Sequence, residues 1–320
     1  GNNSVAIGRE ALKANTTGAD NTAVGTQALD ANTTGTLNTA VGRSALGANT
    51  TGGSNTALGE QALSANTIKF NNTALGNRAL RDNTDGDANT GVGASALLLN
   101  TTGVSNSAVG SQALGDNTTG SDNTAVGQGS LRTATTASDN TALGRRTGFD
   151  ITTGQQNTLI GSNAGFSGSN NLTTGSNNII LGYNAAASAN NVSNEVTIGN
   201  SSIATIRAQV TTITSLSDAR DKADVADLDA GLAFVDALRP VRFTWNMRDG
   251  GKVGAADTGF IAQDLQAAMA ETGMSIPGLV YDVNPDQLEA GYGKLLPVLV
   301  KAIQELSAEV ESLKAQLKGA

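Results

Sequence analysis

A five-residue segment, NTAVG with close variants, recurs along the first 200 residues and sets the hydrophobic pattern of that part of the chain. Its last glycine stands at position 8 and then at every seventeenth position as far as 161. After one step of 21 to position 182, the step of 17 returns at 199. Within the segment, Thr22 and Val24 alternate with the small residues Ala23 and Gly25. This period of two predicts a short β-strand in each of twelve repeats, the last of them degenerate.

Two further elements keep a fixed position in each repeat, an Ala-Leu pair such as Ala28 and Leu29 and an NTTG turn such as residues 32–35. Each repeat is thus interpreted as a strand, a second short strand and a turn. Seventeen residues are too few for crossover helices, so the pattern predicts a mainly β, rod-shaped β-solenoid. Its twelve turns would have a length of about 50 to 60 Å along the axis. Asn and Gly at the turns supply positive φ, and stacked Asn side chains can form hydrogen-bonded ladders.

The predicted core of this rod is thin, because one turn buries only a Val or Leu, a second Leu and a few Ala side chains. We therefore expect chains to associate along the rod. The four extra residues between the glycines at 161 and 182 should form a loop near residues 165–171 without breaking the stack.

The pattern changes near residue 200, after which all four prolines and the single Trp245 occur. We divide the chain into a repeat rod at 1–200, a β stalk or linker at 201–216, and a small α+β domain at 217–320. Residues 201–216 alternate and are β-branched, which predicts a strand. Phe243, Trp245 and Phe260 are predicted core residues.

Apolar residues spaced alternately by three and four predict a long heptad helix at 296–318. Pro297 falls in its first turn, where the missing N–H costs little. The pattern is compatible with a three-stranded coiled coil and with a helix packed on its own domain. The heptad positions are Leu296, Leu299, Ile303, Leu306, Val310, Leu313 and Leu317.

Composition excludes several classes of function. The chain contains no His and no Cys, which excludes disulfides, Cys/His zinc sites, Ser-His-Asp triads and cysteine proteases. No GGxGxD run suggests a calcium-binding solenoid, and we assign no metal and no cofactor. The scattered acidic residues of the rod do not suggest the paired carboxylates of a glycosidase. A formal net charge of -8 gives no reason to expect nucleic acid, and no apolar run suggests membrane insertion.

Four motifs in the second part carry a resemblance. They are SDxRxK at Ser217 to Lys222, ALRPVRFTW at 237–245, GFIAQDLQ at 259–266 and the terminal YGKLLPVLVKAIQEL. The chain from Ser217 onward resembles the intramolecular chaperone auto-processing domain at the C-terminus of phage tailspikes, endosialidases and tail fibres. The 17-residue array ahead of it is similar to tail-fibre-like proteins of marine phages and to the β-roll heads of trimeric adhesins.

The resemblance implies a homotrimer whose C-terminal domain guides the rod into register and then cuts itself off. It implies a scissile bond between Leu216 and Ser217, with Ser217 as nucleophile and Lys222 as general base. In a chain without histidine, lysine is the common cationic candidate for a base. Lysine acts as a base only when neutral, a state that burial or a nearby cation such as Arg220 favours. Asp218 and Arg220 fit a helix cap and a structural ion pair better than catalysis, although a supporting role stays open.

The leading function is that of a trimeric tail-fibre fragment of a virion that binds a host cell-surface receptor, either a glycan or a surface protein. The chain does not begin with Met, which we interpret as a fragment of a longer protein. Its peptidase activity would be a single turnover on its own chain. The alternative is a bacterial trimeric surface adhesin with the same chaperone domain, located at the cell surface. A peptidase acting on other proteins and an ice-binding face of Thr columns are less favoured interpretations.

Overall fold

A computed structural model describes residues 3–168, 170–203, 205–209, 217–248 and 252–319. The chain forms two compact units, Gly1–Asn200 and Ser201–Ala320. The fold is mainly β, with a solenoid of about eleven turns, followed by a small α+β unit that ends in a long helix. The predicted fold class is thereby confirmed.

In the first unit, the described residues form twelve three-residue strands in one continuous parallel sheet. The strands lie in the sheet in the order in which they occur in the chain. Each strand pairs with its neighbours one repeat away, so that Thr22 lies opposite Thr39 and Ala23 opposite Ala40. The strands are β1 (Val5–Ile7), β2 (Thr22–Val24), β3 (Thr39–Val41), β4 (Thr56–Leu58), β5 (Thr73–Leu75), β6 (Thr90–Val92), β7 (Ser107–Val109), β8 (Thr124–Val126), β9 (Thr141–Leu143), β10 (Thr158–Ile160), β11 (Ile179–Leu181) and β12 (Val196–Ile198).

The second predicted strand of each repeat is absent from the described turns, and this expectation was wrong. The Ala-Leu pair lies in a turn, where Leu29 has a left-handed backbone with φ of 51° while its side chain is fully buried. Seventeen residues must close a complete turn, and a left-handed corner at the leucine directs its side chain inward. The positive φ expected of Asn and Gly at the NTTG turn is not found at Asn32 or Gly35, and this expectation was wrong. Positive φ occurs instead at the glycine that ends each strand, with φ of 137° at Gly25. A Cβ at Gly25 would approach the carbonyl oxygen of Gly42 to 2.6 Å.

The inward-facing strand residue is alanine, not the expected Val or Leu. Ala23 and its equivalents are fully buried beside the turn leucines, whereas Leu58, Val109 and Leu143 are 40 to 48% exposed. A three-residue strand points its middle side chain inward and its two outer ones to the other face. The core is therefore as thin as predicted, and a column of large aliphatic side chains runs along the outer face of the sheet.

Two Asn ladders run through the core, as the sequence predicts. In the strand ladder, Oδ1 of Asn21 accepts from the backbone N–H and the side-chain amide of Asn38 at 3.0 and 3.2 Å. In the turn ladder, the Asn32 amide donates to Asn15 Oδ1 at 2.9 Å. The turn ladder consists of Asn15, Asn32, Asn49, Asn66, Asn83, Asn100 and Asn117. The strand ladder consists of Asn21, Asn38, Asn55, Asn72, Asn89, Asn106, Asn123, Asn140, Asn157 and Asn178.

The turn ladder stops at Asn117, because the next equivalent residue is Ala134. Asn117 Oδ1 is buried without a hydrogen-bond partner among the described residues. Beyond this point apolar residues, first Ala134 and then Ile151 and Leu172, occupy the position and are buried. The polar core of the early turns thus becomes an apolar core in the last ones.

The bulk of the core is redistributed in the same turns. Gly148 and Gly165 replace the turn leucine, while the inward strand residue enlarges from alanine to Leu159 and then Ile180. A Cβ at Gly165 would overlap Leu159 Cδ2, so the larger strand residue requires the glycine. The volume lost on one side of the core is regained on the other, which keeps the interior close-packed.

The predicted loop is confirmed at the irregular step. The backbone N–H of Leu172 donates to the carbonyl of Gly165 at 3.0 Å and closes the loop, of which residue 169 is not described. Strand β11 still pairs in parallel with β10, with Thr158 opposite Ile179. The extra residues therefore protrude without breaking the stack.

The predicted stalk strand is not seen in its described part. Residues 201–203 and 205–209 contain a turn and a bend but no strand, while 204 and 210–216 lie outside the described residues. An alternating segment becomes a strand only beside a partner that satisfies its backbone, and no described strand pairs with it.

The described residues of the second unit form two short antiparallel sheets and three α-helices. Its elements are a 3₁₀ turn at Ala219–Asp221, α1 (Leu232–Ala237), β13 (Val241–Asn246), β14 (Val253–Gly259), α2 (Ala262–Thr272), β15 (Val280–Tyr281), β16 (Glu289–Ala290), a second 3₁₀ turn at Tyr292–Lys294 and α3 (Leu295–Gly319). Strand β13 pairs with β14, and β15 pairs with β16. Phe234 of α1, Leu265 of α2 and Leu295 of α3 lie in one buried cluster.

The three aromatic residues predicted for this core are only half-buried. Phe243 and Trp245 are half-buried on one face of the β13–β14 hairpin, with ring centres 5.1 Å apart in an edge-to-face pair. Phe260 is half-buried against the cluster and pairs edge-to-face with Tyr292. The fully buried aromatic residue is Phe234. A two-stranded hairpin has too little surface to cover large rings completely.

Helix α3 confirms the predicted helix at 296–318. It contacts its own unit through Leu295, Val298 and Ala302, which are buried. The heptad residues lie on a different face and are exposed by 39 to 80%. The helix therefore packs on its domain and still presents an uncovered apolar seam.

Candidate functional site

The candidate site is built on the 3₁₀ turn at the start of the second unit. Asp218 caps this turn, with its side chain accepting from the backbone N–H of Arg220 at 2.9 Å. Lys222 ends the turn, and its backbone N–H donates to the carbonyl of Ala219 at 3.3 Å. The turn brings residues 217 and 222 close together. The Lys222 Nζ donates a hydrogen bond to Ser217 Oγ at 2.7 Å.

Asp218 and Arg220 form the cap and the ion pair that their positions predict. The Arg220 guanidinium donates Nε to Asp218 Oδ1 at 3.0 Å and Nη2 to Oδ2 at 2.6 Å. The Arg220 side chain, with help from its backbone N–H, lowers the pKa of Asp218, and the same contact raises the pKa of Arg220. This pair stabilises the turn on which Ser217 and Lys222 lie.

Neither of the two conditions expected to favour a neutral Lys222 is seen among the described residues. Both Ser217 and Lys222 are exposed, as is most of the segment from 217 to 229. The Arg220 guanidinium is directed to Asp218 and forms its ion pair there. The pair has hydrogen-bond geometry suited to proton transfer, and among the described residues both of its side chains are exposed.

Leu216, the expected residue before the cut, lies outside the described residues, so the site is described from Ser217 onward. Among the described residues there is no cluster of acidic side chains arranged to hold a metal ion. Within the same ranges, no helix has the length and apolar character needed to cross a membrane.

A contact that the sequence did not predict stabilises the start of helix α1. Glu305 of α3 accepts a hydrogen bond from the backbone N–H of Leu232 at 2.7 Å and so caps α1. Lys301 forms an ion pair with Glu305 one turn away on α3. Gly231 at the N-cap of α1 has no side chain with which to cap the helix. This glycine was the one sign in the sequence that the cap must come from another part of the chain.

Comparison with known families gives one match. The family model described as chaperone of endosialidase matches residues 217–274, which begins at Ser217 and includes α1, the β13–β14 hairpin and α2. Searches of curated proteins and of solved structures each found no significant match. A β-solenoid of about eleven turns followed by a chaperone-of-endosialidase segment fits a tail-fibre-like protein with a C-terminal chaperone domain.

Proposed function

We propose that the chain belongs to a trimeric tail fibre that binds a host cell-surface receptor, and that its C-terminal domain aligns three chains and then cuts itself off before Ser217. The observation that carries the cleavage is the 2.7 Å contact between Lys222 Nζ and Ser217 Oγ. The family match at 217–274 supports the chaperone role and begins at the proposed nucleophile. The fibre would act on the virion surface.

The proposed chemistry needs no cofactor. Neutral Lys222 accepts the Ser217 hydroxyl proton as Oγ attacks the carbonyl carbon of Leu216. The C–N bond to Ser217 breaks, the amine takes up the proton from Lys222, and an ester joins Leu216 to Ser217 Oγ. Water then hydrolyses the ester, leaving a carboxylate on Leu216 and a free hydroxyl and amine on Ser217.

Two apolar surfaces support a trimer. The α3 seam exposes seven large aliphatic side chains in a heptad pattern, a pattern that helices bury against one another in coiled coils. The solenoid exposes a column of aliphatic residues along its sheet, including Ile7, Leu58 and Ile160. Contiguous apolar surface of this kind is typical of sites of association.

Trimerisation also offers a reason for the exposed site. Lys222 is exposed in one chain, whereas a lysine acts as a general base only in its neutral form. Burial by neighbouring chains would favour its neutral form. Cleavage would then follow assembly, so that the cut acts as a checkpoint on correct folding.

The repeats of the rod create a register problem that a chaperone would solve. Repeats that are nearly identical allow a chain to slip by one period and regain most contacts, because Asn, Ala and Leu recur at the same positions. A C-terminal unit with a unique core would align three chains at one end. Removing the aligner afterwards would make the assembled rod hard to unfold in reverse.

The test compares purified wild-type protein with Ser217→Ala and Lys222→Ala on a denaturing gel, with N-terminal sequencing of any released fragment. We expect wild type to release a fragment that begins at Ser217, and both variants to stay full length while retaining the trimer mass in light scattering. Ser275→Ala and Lys318→Ala, which alter exposed residues of the same types, are the controls and should cleave normally.

Lys222→Arg is an informative third variant, because arginine keeps the positive charge but does not become neutral. It should trimerise and remain uncut. A cut that persists in Ser217→Ala, or a folded wild-type trimer that is never cut, would remove the dyad and leave a chaperone without peptidase activity.

A further inference from the structure

Three arginines lie together on the side of the solenoid, in the eighth and ninth turns. Arg145 and Arg146 follow strand β9, and Arg132 lies one turn earlier. With the exposed Gln112 and Gln128 they line an open pocket of about 220 Å³ whose floor includes Gly129 and Phe149. We call these residues the arginine pocket.

Aromatic rings hold two of the arginines in place. The guanidinium carbon of Arg146 lies 4.7 Å from the ring centre of Phe149 and 4.6 Å from that of Phe166. The guanidinium carbon of Arg132 lies 5.5 Å from the ring centre of Phe149. The two rings pack against each other with centres 5.0 Å apart. Stacked guanidinium groups lose less freedom on binding, so the pocket is preorganised for a ligand.

The pocket has unused positive charge. None of its three arginines forms an ion pair with a carboxylate in the part of the chain that the structure describes, whereas Arg43, Arg81 and Arg220 each do. The whole chain carries a formal charge of -8, so three unpaired cations at one place are exceptional for this surface. A cluster of this kind recognises oxyanions, which guanidinium groups bind through paired hydrogen bonds.

We infer that the arginine pocket binds an acidic saccharide, with a carboxylate or sulfate group on the arginines and sugar hydroxyls on Gln112 and Gln128. This inference rests on the proposed receptor-binding function and names the class of receptor. A saccharide is favoured over nucleic acid because the three arginines form one small pocket on a chain of net charge -8, not the extended basic surface that a phosphate backbone needs.

Arg78 provides a matched control, because it occupies the same position in an earlier turn. It lies four repeats before Arg146 and has the same left-handed backbone, with φ of 57° against 54°. It is exposed and stacks on no described aromatic ring. Arg78→Gln removes one charge from the rod without touching the pocket.

The experiment measures binding of oligogalacturonate, which carries carboxylates only, and of a κ-carrageenan hexasaccharide, which carries sulfates only, to full-length protein by titration calorimetry. The two probes distinguish a carboxylate ligand from a sulfate ligand, and neutral maltohexaose and a short single-stranded DNA are the comparison ligands. We expect at least one acidic saccharide to bind, with a loss of about tenfold or more in Arg146→Gln and Arg145→Gln. Phe149→Leu keeps every charge and should weaken binding several-fold by releasing Arg146. Arg78→Gln should bind as wild type does.

Absence of binding by both acidic saccharides, or equal losses in Arg78→Gln and Arg146→Gln, would overturn the inference. DNA binding as tight as saccharide binding would overturn it too, since plain charge attraction would then be sufficient. Circular dichroism of each variant checks that the solenoid is folded. Self-cleavage and trimer mass are measured on the same samples, so an intact, self-cleaving trimer without saccharide binding refutes the pocket and leaves the chaperone and cleavage proposal standing.

Discussion

Glu305 and Leu232 are 73 positions apart in the chain, yet the Glu305 carboxylate accepts a hydrogen bond from the backbone N–H of Leu232 at 2.7 Å. The contact joins the long helix α3 to the N-terminus of α1. It depends on Gly231, because a Cβ at that position would overlap the Glu305 carboxylate. The helix that carries the exposed heptad seam is thereby fixed to the domain that follows the candidate site.

We expect Gly231→Ala and Glu305→Gln to lower the melting temperature of the C-terminal unit by similar amounts, because both weaken the cap of α1. The double variant should lose little more than either single one, since the two substitutions break the same contact. Fluorescence of Trp245, the single tryptophan, reports on this unit alone. Gly293→Ala is the control, because an added Cβ there meets nothing within 4 Å. Additive losses would argue that Gly231 acts by another route.

Acid should destabilise the C-terminal unit by protonating carboxyl groups whose pKa values are lowered in the folded state. The Leu232 N–H lowers the pKa of Glu305 from its ordinary value of 4.5, and the Trp245 indole N–H lowers that of Asp257 from 3.8. Because these groups bind protons more weakly when folded, their contribution is complete above the ordinary pKa and is lost as the pH falls through the folded one.

The melting temperature followed by Trp245 fluorescence should therefore be independent of pH above about pH 5 and should fall as the pH drops below 4.5. In Glu305→Gln the decline should be shallower. An equally steep decline in this variant would assign the acid sensitivity to other carboxyl groups.

The Asn ladders should contribute measurably to the stability of the rod. Asn72 is fully buried; its amide donates to the Gly86 carbonyl at 2.9 Å and its Oδ1 accepts from the Asn89 N–H at 3.0 Å. Asn72→Ala leaves both backbone groups without partners and should cost about 2 to 4 kcal/mol. Asn77→Ala, in the same turn but exposed, should cost little. Calorimetric unfolding of the two variants provides the comparison, and similar losses would contradict a structural role for the ladder.

The seventeen-residue period suffices to predict the solenoid, its loop and its Asn ladders, because each depends on residue identity at a repeated position. It does not reveal which strand residue points inward, since Ala23 and Val24 both suit a strand. That choice depends on the space left by Leu29 and its left-handed turn, which only the closed coil defines. The exchange of bulk between Gly165 and Leu159 likewise depends on contact between residues that the period alone treats as independent.

The candidate site was predictable in part for the same reason. The family resemblance implies the Ser217–Lys222 pair, which the spacing alone would not, and the cap by Asp218 follows from local turn chemistry. Exposure of Lys222 could not be predicted, because it depends on what packs over the turn. The arginine pocket was missed, although Arg132, Arg145 and Arg146 replace residues that are small or polar in many other repeats.

The exposed seam of α3 gives the most direct test of the trimer. Ile303 is a heptad residue and is 66% exposed in the single chain, and the neighbouring Gln304 is also exposed but lies off the seam. An aspartate at either position costs the isolated domain little, because neither side chain is part of its core. In a coiled coil, however, Ile303→Asp would bury a carboxylate at the centre of three helices, where its desolvation opposes assembly.

We therefore expect Ile303→Asp to lose the trimer mass in light scattering while Gln304→Asp retains it, with both keeping the Trp245 fluorescence of the folded unit. If assembly precedes the cut, Ile303→Asp should also remain full length on a denaturing gel, although Ser217 and Lys222 are unchanged. Cleavage by a monomeric Ile303→Asp variant would separate the peptidase step from assembly, and an undisturbed trimer would assign the association to the aliphatic column of the solenoid instead of to α3.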